Sequence, residues 1–524
     1  MIPDPSAAGP GSVLLRGGVL HDEAPVAGTA LLIRDGRLAW IGDDEGAREH
    51  ARGADVVLDL DGRLVTPAFV DAHVHVTETG LALSGLDLTA VRSARELLDA
   101  VATSTATPVL GHGWDESTWP DPRLPRRDEL DTAARGRDVY LSRIDVHSAL
   151  VSTALARRTG ADTLPGSDGT ARVERDAHHA ARHGVRLLER RQRLQVQRRA
   201  LEHAARSGIA CVQEMAAPDI SGEEDLIALL ALAGPQGEGG LPLVLAAWGQ
   251  EVGDADEARA WRERLGPGLI GLGGDLNVDG SFGSRTAALA QDYADAPGTR
   301  GRLYRDATTI ARHVGATTAA GLQASFHAIG DAAVTEALDG FSLAAAGGAP
   351  RSVGRGAPTL RLEHAEAVDA VGVARMAAMG VTASVQPAFD AAWAGPAGMY
   401  ERRLGRERAA ATNPFAQLEA AGVALAFGSD APVTPLDPWG AVHAATHPHV
   451  RSHRLPLRAA LRSHLRGGWA AAGVRDAGLL RPGLEATLAV WEGTVPADLD
   501  VGVVRPRCLA TIRRGRWLWR EEWS

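Results

Sequence analysis

The chain has 524 residues and a formal net charge of −10, a balance that argues against nucleic acid or an anionic membrane surface as a main partner. Its 45% hydrophobic and 23% charged residues exclude a disordered polyampholyte, and the length suits one large barrel with a smaller accessory domain. All 55 basic residues are arginine, so no lysine is available as a Schiff base, a nucleophile or a carbamylated metal ligand.

The N-terminal stretch MIPDPSAAGPGS lacks the basic start and apolar core of a signal peptide. No apolar run reaches membrane-spanning length, and a cytoplasmic protein is expected. Residues 1–12 read as a flexible tail. SVLLRGGVL and TALLIRDGRLAWIGD read as strands, with Asp35-Gly36 as a hairpin turn. A further run, DVVLDLDGRLVTPAFVDAHVHV, leads out of this region. ATLAVWEG and CLATIRRGRWLWR near the C-terminus are also strand-like, so both ends are expected to pair into one small β domain. The alternative is two unrelated edge hairpins.

In the middle, residues 184–206 repeat apolar positions at helical spacing and stop near Gly208. IACVQEM follows as a strand. LIGLGGDLNVDG, LQASFHAIG, TLRLEHA, VTASVQPAF and VALAFGSD are later strand candidates, most of them separated by helical stretches. Alternating strand and helix over about 400 residues predicts a parallel α/β barrel, whose chemistry sits at the C-terminal strand ends. Polar residues do end these strands: His73 and His75, Glu214, Asn277 and Asp279, His327, His364 and Asp430.

His73 and His75 stand two apart after an apolar run, so on a strand both imidazoles point to one side and could share a cation. The pair alone is weak evidence. About 0.6 such pairs are expected by chance from 18 histidines in 524 residues, and His447-Pro448-His449 is a decoy without a preceding strand. His327 and His364 each end one face of a strand. Asp430 could equally cap the element that follows it. Four histidines and an aspartate at strand ends make a shared metal centre the better joint explanation. His178, His179 and His183 read as a solvated helix face. Cys211 and Cys508 give neither a disulfide framework nor a zinc site.

VTPAFVDAHVHV resembles the first-strand signature of the amidohydrolase superfamily. GHGWDESTWPDPRLPRRDELD, DVYLSRIDVHSALVSTAL, DGSFGSRTAAL, HAIGDAAV, RLEHAE and GSDAPV are similar to its YtcJ-like branch, which includes N-substituted formamide deformylases. The resemblance implies a distorted (β/α)8 TIM barrel with a small β-sandwich domain built from both termini. Residues 1–66 and 475–524 would form the sandwich and 67–474 the barrel, with an inserted subdomain at roughly 80–200 covering the site. It also implies that His73, His75, His327, His364 and Asp430 hold metal, and that His147 and Trp114 in the insertion meet substrate. Arg285 would bind a substrate carboxylate or carbonyl, or else an internal aspartate.

Many members carry a lysine before the DGS motif, whose carbamate bridges two metals. That position is read here as Asn277, a poor bridge. Two outcomes stay open: Glu214 supplies the bridging carboxylate, or the site holds one metal, with His364 as ligand or electrostatic partner. A single metal is favoured. Zinc is the default cofactor, with Fe2+ or Mn2+ as alternatives, and one or two ions are expected. Asp430 would act as general base and acid in the hydrolysis of a non-peptide C–N bond of a small molecule. The competing readings are a ring deaminase, for which Glu363 and Asp331 are the nearby acids, and a non-catalytic binding protein on a decayed barrel. A homodimer is open.

Overall fold

The computed structural model describes residues 11–186, 188–237, 239–350, 360–493 and 505–522. Eight mostly apolar runs form one all-parallel sheet: β1 (Phe69–Val74), β2 (Ile209–Ala216), β3 (Leu243–Trp248), β4 (Leu269–Leu272), β5 (Gln323–Ala328), β6 (Leu360–His364), β7 (Thr382–Val385) and β8 (Ala424–Phe427). Each strand pairs with the next in chain order. The circle closes where Val74 bridges Ala431, just past β8. The fold is therefore a (β/α)8 barrel, as the alternation of strand and helix predicts. Residues such as Phe326, Leu362, Val212 and Phe427 pack its strands against the surrounding helices in one large apolar core.

Two sheets lie at the chain ends. One orders Arg37–Gly42, Ala30–Arg34, Ser12–Arg16 and Val56–Asp59. The other orders Val19–Leu20, Leu64–Pro67, Leu488–Trp491, Cys508–Arg513 and Arg516–Arg520, so the two ends share a sheet. Leu15, Leu31, Ile33, Val65, Val490 and Ile512 form the core between them. Asp35 and Gly36 make the expected hairpin turn, both with positive φ (49° and 74°). Of the tail expected over residues 1–12, residues 1–10 lie outside the described residues, and Ser12 already begins a strand.

Between β1 and β2 the chain builds a cover for the barrel mouth. Its five-stranded sheet contains Leu86–Asp87, Val109–Trp114, Val139–Arg143, Ser148–Val151 and Arg172–Glu174. The helical run expected at 184–206 is divided here. One helix is Arg175–Val185; the next is Arg190–Arg206, opened by a capping box between Glu189 and Gln192. The cover is bound to the barrel by polar contacts: Asp145 accepts the hydroxyls of Ser281 and Ser284 at 2.9 and 2.8 Å, and His112 Nε2 meets the Pro432 carbonyl at 2.8 Å.

Trp491 joins the terminal sheet to the barrel. It is 1% exposed, its indole N–H donates to Thr66 Oγ1 at 2.9 Å, and its ring lies edge-on to Phe69 of β1 and to Trp439 at 5.7 and 5.4 Å. Trp491→Ala is expected to cost about 3–5 kcal/mol of stability. Denaturant titration reads this as a lower unfolding midpoint, and an unchanged midpoint would show that the shared sheet does not support the barrel.

Candidate metal centre

The site forms where β1 meets the segment after β8. Asp430 N–H donates to the His73 carbonyl at 2.7 Å, and His75 N–H to the Ala431 carbonyl at 3.0 Å. Buried Asp71 ties the same seam, accepting the N–H of His73 at 3.2 Å and of Ser429 at 3.0 Å. The two backbones approach so closely at Gly428 that a Cβ there would lie 2.5 Å from His73 N. His364 and Asp430 both take left-handed backbone, with φ of 67° and 54°. For non-glycine residues this is stored strain, often found where a side chain must be aimed.

Six side chains, five of them buried and Asp275 part-buried, converge on the barrel mouth. His75 Nε2 lies 3.0 Å from Asp275 Oδ2 and 3.1 Å from Asp430 Oδ1. His73 Nε2 lies 3.4 Å from Asp275 Oδ1 and 3.5 Å from Asp430 Oδ1. On the other side, His327 Nδ1 and His364 Nε2 stand 3.5 and 3.8 Å from Asp275 Oδ1. Among the described residues these side chains make three overlapping groups: His73, His364 and Asp430; His73, His75 and Asp275; Asp275, His327 and His364. Within each, the potential ligand atoms lie within 4.8 Å of one another.

The donor set fits a cation. His73 Nε2, His364 Nε2, Asp275 Oδ1 and Asp430 Oδ1 are all buried without a hydrogen-bond partner, an arrangement that is costly unless something else satisfies them. Imidazole nitrogens with carboxylate oxygens suit a divalent transition metal.

The surrounding groups fix how the rings face. His73 Nδ1 meets Glu363 Oε2 at 2.8 Å, leaving Nε2 to point inward. Glu363 in turn pairs with Arg361 Nε at 2.6 Å, and Arg361 also reaches Gln213 of β2 across the barrel and Ser384 of the adjacent β7. His364 Nδ1 meets Gln386 Oε1 at 2.8 Å, again turning Nε2 inward. Such outer partners orient metal ligands. Burial opposes charge on His73, but the carboxylates of Asp275 and Asp430 outweigh it and raise its pKa to about 10. His75 is raised for the same reason. Asp275 and Asp430 are lowered against burial by the facing histidines.

Asp275, which the sequence reading passes over, belongs to the cluster, and the two positions weighed for the bridge lie differently. Asn277 does not face the cluster as a ligand: its carbonyl accepts from Arg305, and it bridges His327 through backbone. Glu214 is not in any of the three groups either. Its carboxylate accepts the Val76 N–H at 2.6 Å, and burial raises its pKa to about 8, so it holds the chain after His75. Asp275 and not Asn277 reaches the cluster because of Gly273-Gly274, which have φ of 126° and 64°. A Cβ on Gly273 would lie 1.7 Å from the Ser325 carbonyl oxygen. Only glycine allows that approach, and it ends β4 at Leu272 and brings Asp275 inward. The available signal is the Gly-Gly-Asp triplet at the end of an apolar strand.

Asp279 is an organiser of the loop. Its carboxylate accepts the N–H groups of Ala288, Ile329 and Gly330 at 2.8, 3.0 and 2.8 Å. The two acids considered for ring protonation are also engaged, Glu363 as above and Asp331 with the Ala290 N–H at 3.0 Å. Glu366, unremarked in the sequence, is buried beside the cluster and accepts the Tyr400 hydroxyl.

Of the residues expected at the substrate, His147 comes nearest. Its ring lies 5.7 Å from that of His327, it borders both cavities at the cluster, and burial lowers its pKa to about 4, keeping it neutral. Trp114 instead lies in the core of the cover with Trp119, its N–H donating to the Leu141 carbonyl at 2.8 Å. Arg285 takes the internal alternative, gripping Asp295 through Nε and Nη2 at 3.0 and 2.9 Å. Asp295 is shared with Arg403, which reaches Glu116 of the cover. The decoy histidines stand apart: His449 pairs with Asp390 at 3.1 Å. The supposed solvated face does not hold for His178, which is buried against the Tyr140 hydroxyl at 2.7 Å.

The amidohydrolase family profile matches residues 56–518. The chain is 27% identical to YtcJ of Bacillus subtilis over 444 residues, 79% of each protein. It is 26% identical to an imidazolonepropionase of Cereibacter sphaeroides over 473 residues, 90% of each. A metal-dependent hydrolase of Pyrococcus horikoshii superposes with a TM-score of 0.74 at 27% identity, over 94% of this chain and 99% of that one.

Asp275→Ala is expected to lose most of the divalent metal measured per chain, while Glu214→Gln keeps it. The reverse pattern would return the bridging role to Glu214. Because the cation must displace protons from His73 and His75, affinity for Zn2+ is expected to rise between about pH 6 and about pH 8. An affinity flat over that range in competition titrations would contradict the proton-loaded cluster.

Proposed function

Because the chain belongs to the amidohydrolase family, and is therefore a hydrolase, we propose that it cleaves a non-peptide C–N bond of a small molecule at the His73/His75/Asp275/His327/His364/Asp430 cluster. The observation that carries this is the set of buried imidazole and carboxylate atoms facing one another without partners. Asp275 belongs both to the His73/His75 group and to the His327/His364 group. That supports two cation positions, one that His73 and His75 would hold and one that His327 and His364 would hold, with Asp275 available to both, in place of the single ion favoured by the sequence. Zinc suits the ligand types, as do iron and manganese.

A divalent cation held here supplies Lewis acidity and acidifies a water molecule. The protein does the rest. Asp430, held as a carboxylate by the facing His73 and His75, takes a proton from the attacking water as the new C–O bond forms. It returns that proton to the nitrogen as the C–N bond breaks. Neutral His147, which borders both cavities at the cluster, would donate an N–H to the carbonyl oxygen as negative charge gathers on it. The cover, fastened by Asp145 to Ser281 and Ser284, keeps bulk water away from the reacting bond.

N-substituted formamides, simple amides and cyclic amides form the substrate panel. The first is motivated by the N-substituted formamide deformylase of Arthrobacter pascens, 26% identical over 154 residues; the cyclic amides follow from the imidazolonepropionase likeness. Asp430→Asn is expected to retain at least part of the bound metal and to lose about 10²–10⁴ in kcat on any member hydrolysed by the parent. Turnover at the parent rate in that variant would remove Asp430 from the proton path. A metal-loaded parent that hydrolyses none of the panel would count against the C–N assignment.

A further inference from the structure

A cavity of about 520 Å³ opens from the cluster, bordered at its inner end by His75, His147 and Asp275, and its size suits a small organic molecule. Its outer wall carries Arg175 and Arg182 from the helix Arg175–Val185 of the cover, with Arg302 and Tyr304 from the barrel loop after β4. Arg182 is only 7% exposed. One of its nitrogens donates to the Asp219 carbonyl, but Nε is buried without a partner. Arg175 and Arg302 are exposed, and neither guanidinium has an ion-pair or hydrogen-bond partner among the described residues. Both act electrostatically on Tyr304 between them.

Acidic groups also border this space. Glu78 is engaged by Arg186. Asp176 and Asp219 remain, the latter 4.0 Å from His179 Nδ1. Arg182, with its buried Nε unbonded, and the unpaired Arg175 and Arg302 therefore share the cavity lining with the carboxylates of Asp176 and Asp219. An arginine that is largely desolvated and incompletely bonded is a strong receptor for a planar carboxylate.

The geometry points to a substrate with two ends: the scissile C–N bond at the cluster and a carboxylate held by Arg182, with Arg175 and Arg302 at the rim. The inference rests on the proposed hydrolase reading for what the carboxylate is attached to. It favours N-acyl or cyclic amides bearing an acidic tail over their neutral counterparts.

The test uses the metal-loaded full-length protein and isothermal titration with glutarate and with its neutral analogue glutaramide. Glutarate is expected to bind at least about tenfold more tightly. Arg302→Gln, at an exposed position, and Arg182→Gln are each expected to reduce that preference by about fivefold or more with metal content unchanged. Equal affinity for the two probes in the parent overturns the inference. So does a preference that survives in both variants, which would place the carboxylate on the metal instead. Should Arg182→Gln fail to fold, the Arg302→Gln result decides. A protein that shows the preference but hydrolyses no C–N substrate fails the function proposed above and not this one.

Discussion

The barrel mouth is governed by electrostatics: two carboxylates and four imidazoles crowd together there, and His73 Nε2, His364 Nε2, Asp275 Oδ1 and Asp430 Oδ1 are buried and unbonded. Desolvation makes such groups expensive unless opposite charge is close. Protons meet that need in part: the facing carboxylates of Asp275 and Asp430 overcome burial and push the pKa of His73 up to about 10. A cation would meet it more fully, because it can face several inward atoms at once. The same burial that makes the cluster costly removes competing water and makes every charge in it more effective.

The rest of the structure is arranged to keep those atoms facing inward. Glu363 and Gln386 each occupy one nitrogen of a histidine and leave the other for the centre. Arg361 anchors Glu363, so the interior of the barrel is a polar brace connecting β6 to β2 and β7. The strained backbone at His364 and Asp430 fits the same purpose. The cover is attached by a chain of charges, Arg285–Asp295–Arg403–Glu116–Arg143–Asp145, which explains why Arg285 is committed to architecture.

Much of this is legible in the sequence because strand ends announce themselves. His73, His327, His364 and Asp430 each follow an apolar run, and the barrel places such ends together. The pairing of the chain ends is legible for the same reason. Asp275 is not, because LIGLGGDLNVDG keeps a strand-like alternation beyond the point where Gly273 and Gly274 turn the backbone out of the sheet. Counting along that run puts Asn277 and Asp279 at the site and passes over the aspartate that reaches it. Glu214 misleads in the opposite way: it ends a true strand, but its carboxylate turns to the Val76 N–H. The histidines of the cover depend on which side of a helix meets the barrel. That is decided by tertiary packing and not by local pattern.

On the function proposed above, Asp275 would serve two cation positions in place of a lysine carbamate. A crystal structure with anomalous scattering recorded at the edge of the bound metal tests it most directly. The result expected is a pair of peaks on either side of the Asp275 carboxylate, one against His73 and His75 and one against His327 and His364. No peak at this cluster, or a peak ligated by Glu214 with Asp275 turned away, would contradict it.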